Sequence, residues 1–243
     1  MANRKALIVP ALKKHTATVI MAHGLGDSGA GWVSLAENWR RRSKFEDIKF
    51  IFPNAPSIPI TIVREIFALN GGYVMPGWYD ITSFSDLNQA QDEVGILRSR
   101  DVFDKLIKEE LALGIPSNRI VLGGFSQGGA MSIFTGVTTP HKLGGVFGLS
   151  CYLLMSNKIK EMAAKESKEV NKDTPFFMGH GDADEVVKHA WGKQTAEFLQ
   201  KELGHQVEFK TYRNLPHSAA LEEIDDLEAY IRKCLGDDGK SGL

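Results

Sequence analysis

Seven short β-branched or aliphatic runs, each followed by a turn or an amphipathic stretch, constrain this chain more than any other feature. The runs predict strands at Ala6–Val9, Thr18–Ala22, Ile48–Phe52, Ile120–Phe125, Gly145–Leu149, Phe176–Gly179 and Val207–Tyr212. Several are continuously apolar, as strands buried on both faces of a parallel sheet must be. The stretches between them predict helices at Val33–Arg42, Gln89–Leu113, Gln127–Val137, Ile159–Ser167, Lys188–Leu203 and Ala219–Cys234. In the second of these, Val94, Leu97, Val102, Leu106 and Leu113 give an apolar stripe that Gly114 ends. Strand–helix alternation of this kind implies an α/β fold, a mostly parallel sheet with helices on both faces. No linker or repeat divides the chain. One domain over residues 1–235 and a flexible tail over 236–243 are therefore expected.

Composition narrows the classes of function. Twenty-nine basic against 30 acidic residues leave a formal charge of −1, without the basic excess that nucleic-acid binding requires. Hydrophobic residues make up 43% of the 243, too many for a disordered chain. Cys151 and Cys234 are the only cysteines, which argues against a disulfide scaffold and for a reducing compartment. The cytoplasm is the expected location, the nucleus included. The apolar stretch Ala6–Leu12 ends at once in Lys13-Lys14, so a signal peptide is not expected. The uncharged run Ile120–Pro140 carries five glycines, making it a poor membrane helix, and no stable membrane insertion is expected.

In a parallel sheet, ligands bind at the carboxyl ends of the strands, so the loops just after each strand are the places to look. After Ile120–Phe125 comes Gly124-Phe125-Ser126-Gln127-Gly128, a G-x-S-x-G flanked by Gly123 and Gly129. Between a strand and a helix, that pattern makes a sharp turn that exposes the serine hydroxyl, and glycines on either side let neighbouring backbone approach. Ser126 is the candidate nucleophile. It needs a base, and the base an orienting acid, in the order Ser, acid, His. His217 follows the last strand and precedes the last helix, which makes it the candidate base. His189 and His205 read as surface residues of a helical stretch, and His15 and His141 as loop residues. The acid is Asp182 or Asp184, both just after the strand Phe176–Gly179. Either could reach the imidazole, and Asp182 could instead bond the turn's own backbone N–H groups.

The loop His23-Gly24-Leu25-Gly26-Asp27-Ser28-Gly29 supplies the expected oxyanion-binding N–H of Leu25, with that of Gln127 as the second donor. His23 reads as a structural hydrogen-bonding residue. Gly24-x-Gly26-x-x-Gly29 also fits a dinucleotide fingerprint, but the second strand ends in Pro53-Asn54-Ala55-Pro56 with no acid there. That weakens a nicotinamide-dependent reading. No Lys-Ser/Thr follows the glycines around Ser126, so a phosphate loop is not supported either. His180, Asp182 and Asp184 lack a second histidine at ligand spacing. Neither metal nor cofactor is expected.

With these loops assembled, the sequence resembles the acyl-protein thioesterase/carboxylesterase family of serine hydrolases. The matching blocks are His23–Asp27, Pro53–Pro56, Met75-Pro-Gly-Trp-Tyr-Asp80, Gly114–Ile120, Gly123–Gly129, His180-Gly-Asp-Ala-Asp184 and His217-Ser218. The resemblance implies an α/β-hydrolase fold without a large lid domain. It makes Asp184 the acid of a Ser126–His217–Asp184 triad. It also implies hydrolysis of long-chain acyl thioesters on protein cysteines, with cleavage of simple esters or lysophospholipids as the alternative. The substrates would be S-acylated proteins or acyl-ester lipids, and Trp78, Tyr152 and Leu153 are the candidate substrate-binding residues. Cys151–Met155 could form an acyl-chain wall or could be core. Two departures stand out: Glu185 where the family has proline after the acid, and an apparent insertion at Ile62–Leu69.

Overall fold

The computed structural model describes residues 5–61, 74–82, 91–167 and 170–236. Its main sheet has seven strands: β1 (Leu7–Val9), β2 (Ala17–Ala22), β3 (Ile48–Phe52), β6 (Ile120–Phe125), β7 (Gly145–Leu149), β8 (Pro175–Gly181) and β9 (Gln206–Tyr212). Their order is β1-β3-β2-β6-β7-β8-β9. All neighbours are parallel except β1, which runs antiparallel to β3 at the edge. Two further strands, β4 (Ser57–Pro59) and β5 (Val74–Pro76), form a separate antiparallel pair. They were not anticipated, because three residues bounded by proline are too short to show a period of two. The insertion expected at Ile62–Leu69 and the tail beyond residue 236 lie outside the described residues.

Alternation along each buried strand divides the core. Ile20, Ile51, Leu122, Val146, Phe176 and Met178 point to one face. Val19, Met21, Phe50, Val121, Phe147 and Phe177 point to the other. The first face is covered by α2 (Glu93–Ala112), α3 (Gln127–Thr138) and α5 (His189–Lys201). The second is covered by α1 (Ala30–Arg41) and α6 (Leu221–Leu235). A short α4 (Ile159–Met162) passes into a π-helical turn over Ala163–Ser167, where a continuous α-helix was expected.

The buried face of α2 is offset from the expected stripe: Leu97, Val102 and Leu106 pack partly buried against the core, at its flank. Ile96, Phe103 and Ile107 are fully enclosed, and Phe103 meets the Trp78 ring edge-on at 5.0 Å. Val94 and Leu113, assigned to the inward stripe, are exposed at 79% and 66%. Val94 lies in the first turn and Leu113 at the C-cap, outside the stretch from Ile96 to Leu111 that packs against the core.

Chain order places the site. From β2 the chain crosses outward to β3, whereas β6 pairs with the opposite edge of β2, in register from Thr18↔Ile120 to Ala22↔Gly124. The loops after β2 and β6 therefore diverge to either side of one crevice. At that point α3 starts so close to β2 that a Cβ on Gly128 would run into the Ala22 and His23 carbonyl groups. Replacing Gly128 with alanine is expected to cost on the order of 3 kcal/mol, as backbone is displaced to make room. Denaturant unfolding of Gly128→Ala beside the native chain measures it.

One core group is at odds with its surroundings. Glu223, in the first turn of α6, is 0% exposed, and only the Ala220 backbone offsets the burial of its carboxylate, no side chain among the described residues donating to it. Burial pushes its carboxyl up to about 8 from an ordinary 4.5. The unfolded chain ionises first, so this group costs the fold nothing below about pH 4.5. The cost grows as pH rises towards 8. Glu223→Gln is expected to stabilise the protein at neutral pH by on the order of 1–3 kcal/mol, with no gain near pH 4. Melting temperatures across that pH range read the difference.

Candidate active site

Ser126 closes the turn between β6 and α3 at φ 53°, ψ −121°, a strained conformation for a residue with a side chain. Packing maintains it. A Cβ on Gly124 would meet the Ala22 carbonyl oxygen at 2.5 Å, and the Ser126 N–H donates to the Leu149 carbonyl at 2.8 Å. The hydroxyl is thereby lifted above the sheet, where Ser126 Oγ donates to His217 Nε2 at 3.0 Å. His217 Nδ1–H in turn donates to Asp184 Oδ2 at 2.7 Å. The Phe125 ring lies 4.9 Å from the imidazole and limits its tilt.

The two aspartates separate cleanly. Asp182 is exposed, and its Oδ1 accepts the Asn214 N–H at 2.6 Å, tying the loop after β8 to the one after β9. Asp184 is buried. Its Oδ1 accepts the N–H groups of Val186 at 2.9 Å and Val187 at 2.8 Å, leaving Oδ2 to His217. Burial alone would raise its pKa. Hydrogen bonds from His180, His217 and the Val187 backbone outweigh that and hold the carboxyl well below the usual range. Glu185, the residue that departs from the family pattern, is exposed.

Gln127 is the first residue of α3, so its backbone N–H is one of those a helix leaves without an internal partner. Leu25 stands across from it, and both line a cleft of about 230 Å³ together with Ser126, His217, Tyr79 and Tyr152. The Leu25 loop is braced from behind. The His23 ring is fully buried, with Nδ1–H donating to the Gly24 carbonyl at 2.7 Å and Nε2 accepting the Ala55 N–H at 3.0 Å. Burial lowers its pKa, which suits a neutral structural imidazole. Asn54 Oδ1 accepts the Gly29 N–H at 2.8 Å, so the Pro53–Pro56 segment supports the far end of the same loop.

The candidate substrate residues divide. Tyr152 lines the cleft, and its hydroxyl is 2.9 Å from that of Tyr79, which the sequence reading did not single out. Leu153 is 6% exposed and outside the lining; its N–H donates to Thr195 Oγ1. Trp78 is not on the substrate side but fully enclosed. Its Nε1–H donates to the His23 carbonyl at 2.9 Å, and its carbonyl accepts from Ser99 Oγ. The Gln127 side chain completes this support, accepting the Trp78 N–H and donating to the Tyr79 carbonyl, both at 2.7 Å. Nothing in the local spacing around Gln127 or Trp78 signals that pairing.

Cys151 is buried and its thiol is pushed up by that burial, which makes it a packed side chain rather than a nucleophile. His205 is not a surface residue: it is 8% exposed and tilts against the Phe176 ring at 4.7 Å, because α5 ends at Lys201 and the chain turns inward. A larger cavity between α1 and α6, lined by Trp32, Trp39 and Leu221, contains none of these groups. Among the described residues, no cluster of three His, Cys, Asp or Glu could hold a metal ion. No described helix is long and apolar enough to cross a membrane.

A strained serine turn facing a histidine and a buried aspartate, at the carboxyl ends of a mostly parallel sheet, defines the α/β-hydrolase class. The phospholipase/carboxylesterase family model matches residues 3–235, and the chain belongs to that family of serine hydrolases. Acyl-protein thioesterase 1 of Emericella nidulans is 58% identical over 240 residues, 96% of each chain. That of Yarrowia lipolytica is 47% identical over 229 residues, 94% of this chain and 96% of its own. Among solved structures, acyl-protein thioesterase 2 of Zea mays superposes with a TM-score of 0.83 at 27% identity, covering 96% of this chain and 99% of its own.

The aspartate geometry predicts unequal losses. Asp184→Asn is expected to lower kcat by about 10⁴-fold, as the imidazole loses the acceptor that fixes its tautomer. Asp182→Asn should cost less than about 10-fold, through a looser loop. Ester hydrolysis by the two variants compares them.

Proposed function

We propose that this chain hydrolyses long-chain acyl thioesters on S-acylated protein cysteines through a covalent acyl-enzyme. One observation carries the reading: a hydroxyl, imidazole and carboxylate in hydrogen-bonded series at 3.0 and 2.7 Å, opening onto a cleft walled by Tyr79, Ile81, Tyr152 and Val187. The names of the similar thioesterases support the substrate class.

In this mechanism His217 Nε2 takes the Ser126 proton as Oγ attacks the acyl carbon. The carbonyl oxygen becomes an oxyanion facing the backbone N–H groups of Leu25 and Gln127, at the amino-terminal end of α3 where the helix dipole favours negative charge. Asp184 holds the imidazole and stabilises its charged form. His217 then protonates the leaving thiolate, the carbon–sulfur bond breaks, and the acyl group stays on Oγ. Water, deprotonated by His217, attacks the acyl-enzyme; the fatty acid leaves and Ser126 regains its proton. Tyr79 and Tyr152, both raised by burial, remain neutral wall groups.

A fluorophosphonate probe is expected to label the native protein at Ser126 and to leave Ser126→Ala unlabelled; an unlabelled native protein overturns the reading. An S-palmitoylated peptide compared with p-nitrophenyl esters of increasing chain length tests the substrate. Preference for the thioester and the longer esters is expected, whereas preference for short esters makes the chain a general carboxylesterase.

A further inference from the structure

A second histidine shares the carboxylate oxygen that orients His217. His180 is the last residue but one of β8, four residues before Asp184, and its side chain is 0% exposed. Its Nε2 lies 2.8 Å from the Val187 carbonyl oxygen and 3.4 Å from Asp184 Oδ2. A carbonyl oxygen only accepts, so Nε2 carries the proton and donates it to Val187, with Asp184 Oδ2 beside that bond. The other ring nitrogen, Nδ1, is buried without a hydrogen-bond partner among the described residues. It faces Gly192 in the first turn of α5, where any Cβ would collide with it. The ring of His189 closes a third side edge-on at 5.7 Å. The imidazole is thus held in one tautomer and one orientation, with its single N–H directed at the Asp184 loop.

The placement has a consequence for the proposed reaction. Asp184 Oδ1 accepts the Val186 and Val187 N–H groups, so the alignment of the carboxylate with the imidazole rests on what holds Oδ2. His180 and His217 meet at Oδ2 from two directions. The same His180 N–H also fixes the carbonyl of Val187, whose residue lines the cleft. A packing histidine needs only the Val187 bond; the approach to Oδ2 is additional.

We infer that His180 is a positioning residue for the hydrolytic site, holding Asp184 Oδ2 in line with His217 Nδ1 and coupling that alignment to the Val187 wall of the cleft. The inference rests on the reading of Asp184 as the orienting acid.

The test is kinetic. With a p-nitrophenyl ester, His180→Leu is expected to lower kcat about 10-fold with KM within about 2-fold, the size expected for a lost hydrogen bond to a charged group. His180→Gln, whose amide N–H reaches along the same line, should recover most of the loss, whereas His180→Asn, too short to reach Oδ2, should not. Because His180 acts through Asp184, His180→Leu added to Asp184→Asn should cost no more than about 2-fold beyond Asp184→Asn alone. A leucine variant with native kcat, or a leucine loss that multiplies in full with Asp184→Asn, overturns the inference and leaves the triad reading intact. If the leucine variant does not fold, the Asn and Gln variants decide: equal activities overturn it. An Asp184→Asn variant of native activity removes the triad reading itself, and this inference with it.

Discussion

The close approach of backbone at the end of β2 and β6 is the constraint on which the rest of this protein depends. Parallel pairing brings Ala22 opposite Gly124, and α3 begins where only hydrogen atoms fit between Gly124, Gly128 and the Ala22 carbonyl. The left-handed conformation of Ser126 follows from that packing, since the chain must reverse from strand to helix within one residue. Strain of this size, roughly 1–3 kcal/mol, persists because both flanking elements are fully buried and cannot relax independently. The same reversal sets the Ser126 hydroxyl against His217 in the loop after β9.

Around that turn the site is built largely from buried polar groups that bond to backbone. His23, Asn54 and Gln127 each hold a main-chain N–H or carbonyl of another segment, and His180 and Asp184 hold that of the loop after β8 itself. Such bonds matter most where the groups are shielded, because an unpaired buried donor or acceptor is costly. The loop after β2 is therefore fixed by tertiary contacts, whereas the loop after β8 is also fixed by the bonds Asp184 makes within its own turn. Asp184 shows the electrostatic side of this arrangement: removed from water, it stays ionised because donors from four residues converge on its two oxygens.

Particular residues show why some of this was legible in the sequence and some was not. The five inner strands could be found because double burial demands continuous apolar runs, and Ser126 because glycine is needed on both sides of it. His217 could be found from chain order. The orienting acid could not be chosen from spacing alone, since Asp182 and Asp184 differ in what surrounds them and not in how far they lie from the strand. Trp78, His205 and the Val94 side of α2 went astray for one reason. Whether an apolar or aromatic side chain faces a cleft, the core or solvent depends on partners distant in sequence, such as Phe103 against Trp78 and Phe176 against His205. The Gln127 clamp and the approach of His180 to Asp184 join segments with no local signature.

By itself, then, the sequence determined the fold class, the strand-end position of each reactive loop and the identities of the serine and histidine. These follow from burial patterns and steric demands that act over a few residues. Only the tertiary structure decided which aromatic residues wall the cleft and which brace it from beneath, and it placed Asp184, the acid that the family resemblance implies, against the imidazole while Asp182 holds Asn214. Those outcomes depend on desolvation and on hydrogen bonds between loops 30 to 90 residues apart, as with His217 to Asp184 and to Ser126. Such terms take effect only once the sheet has brought the loops together.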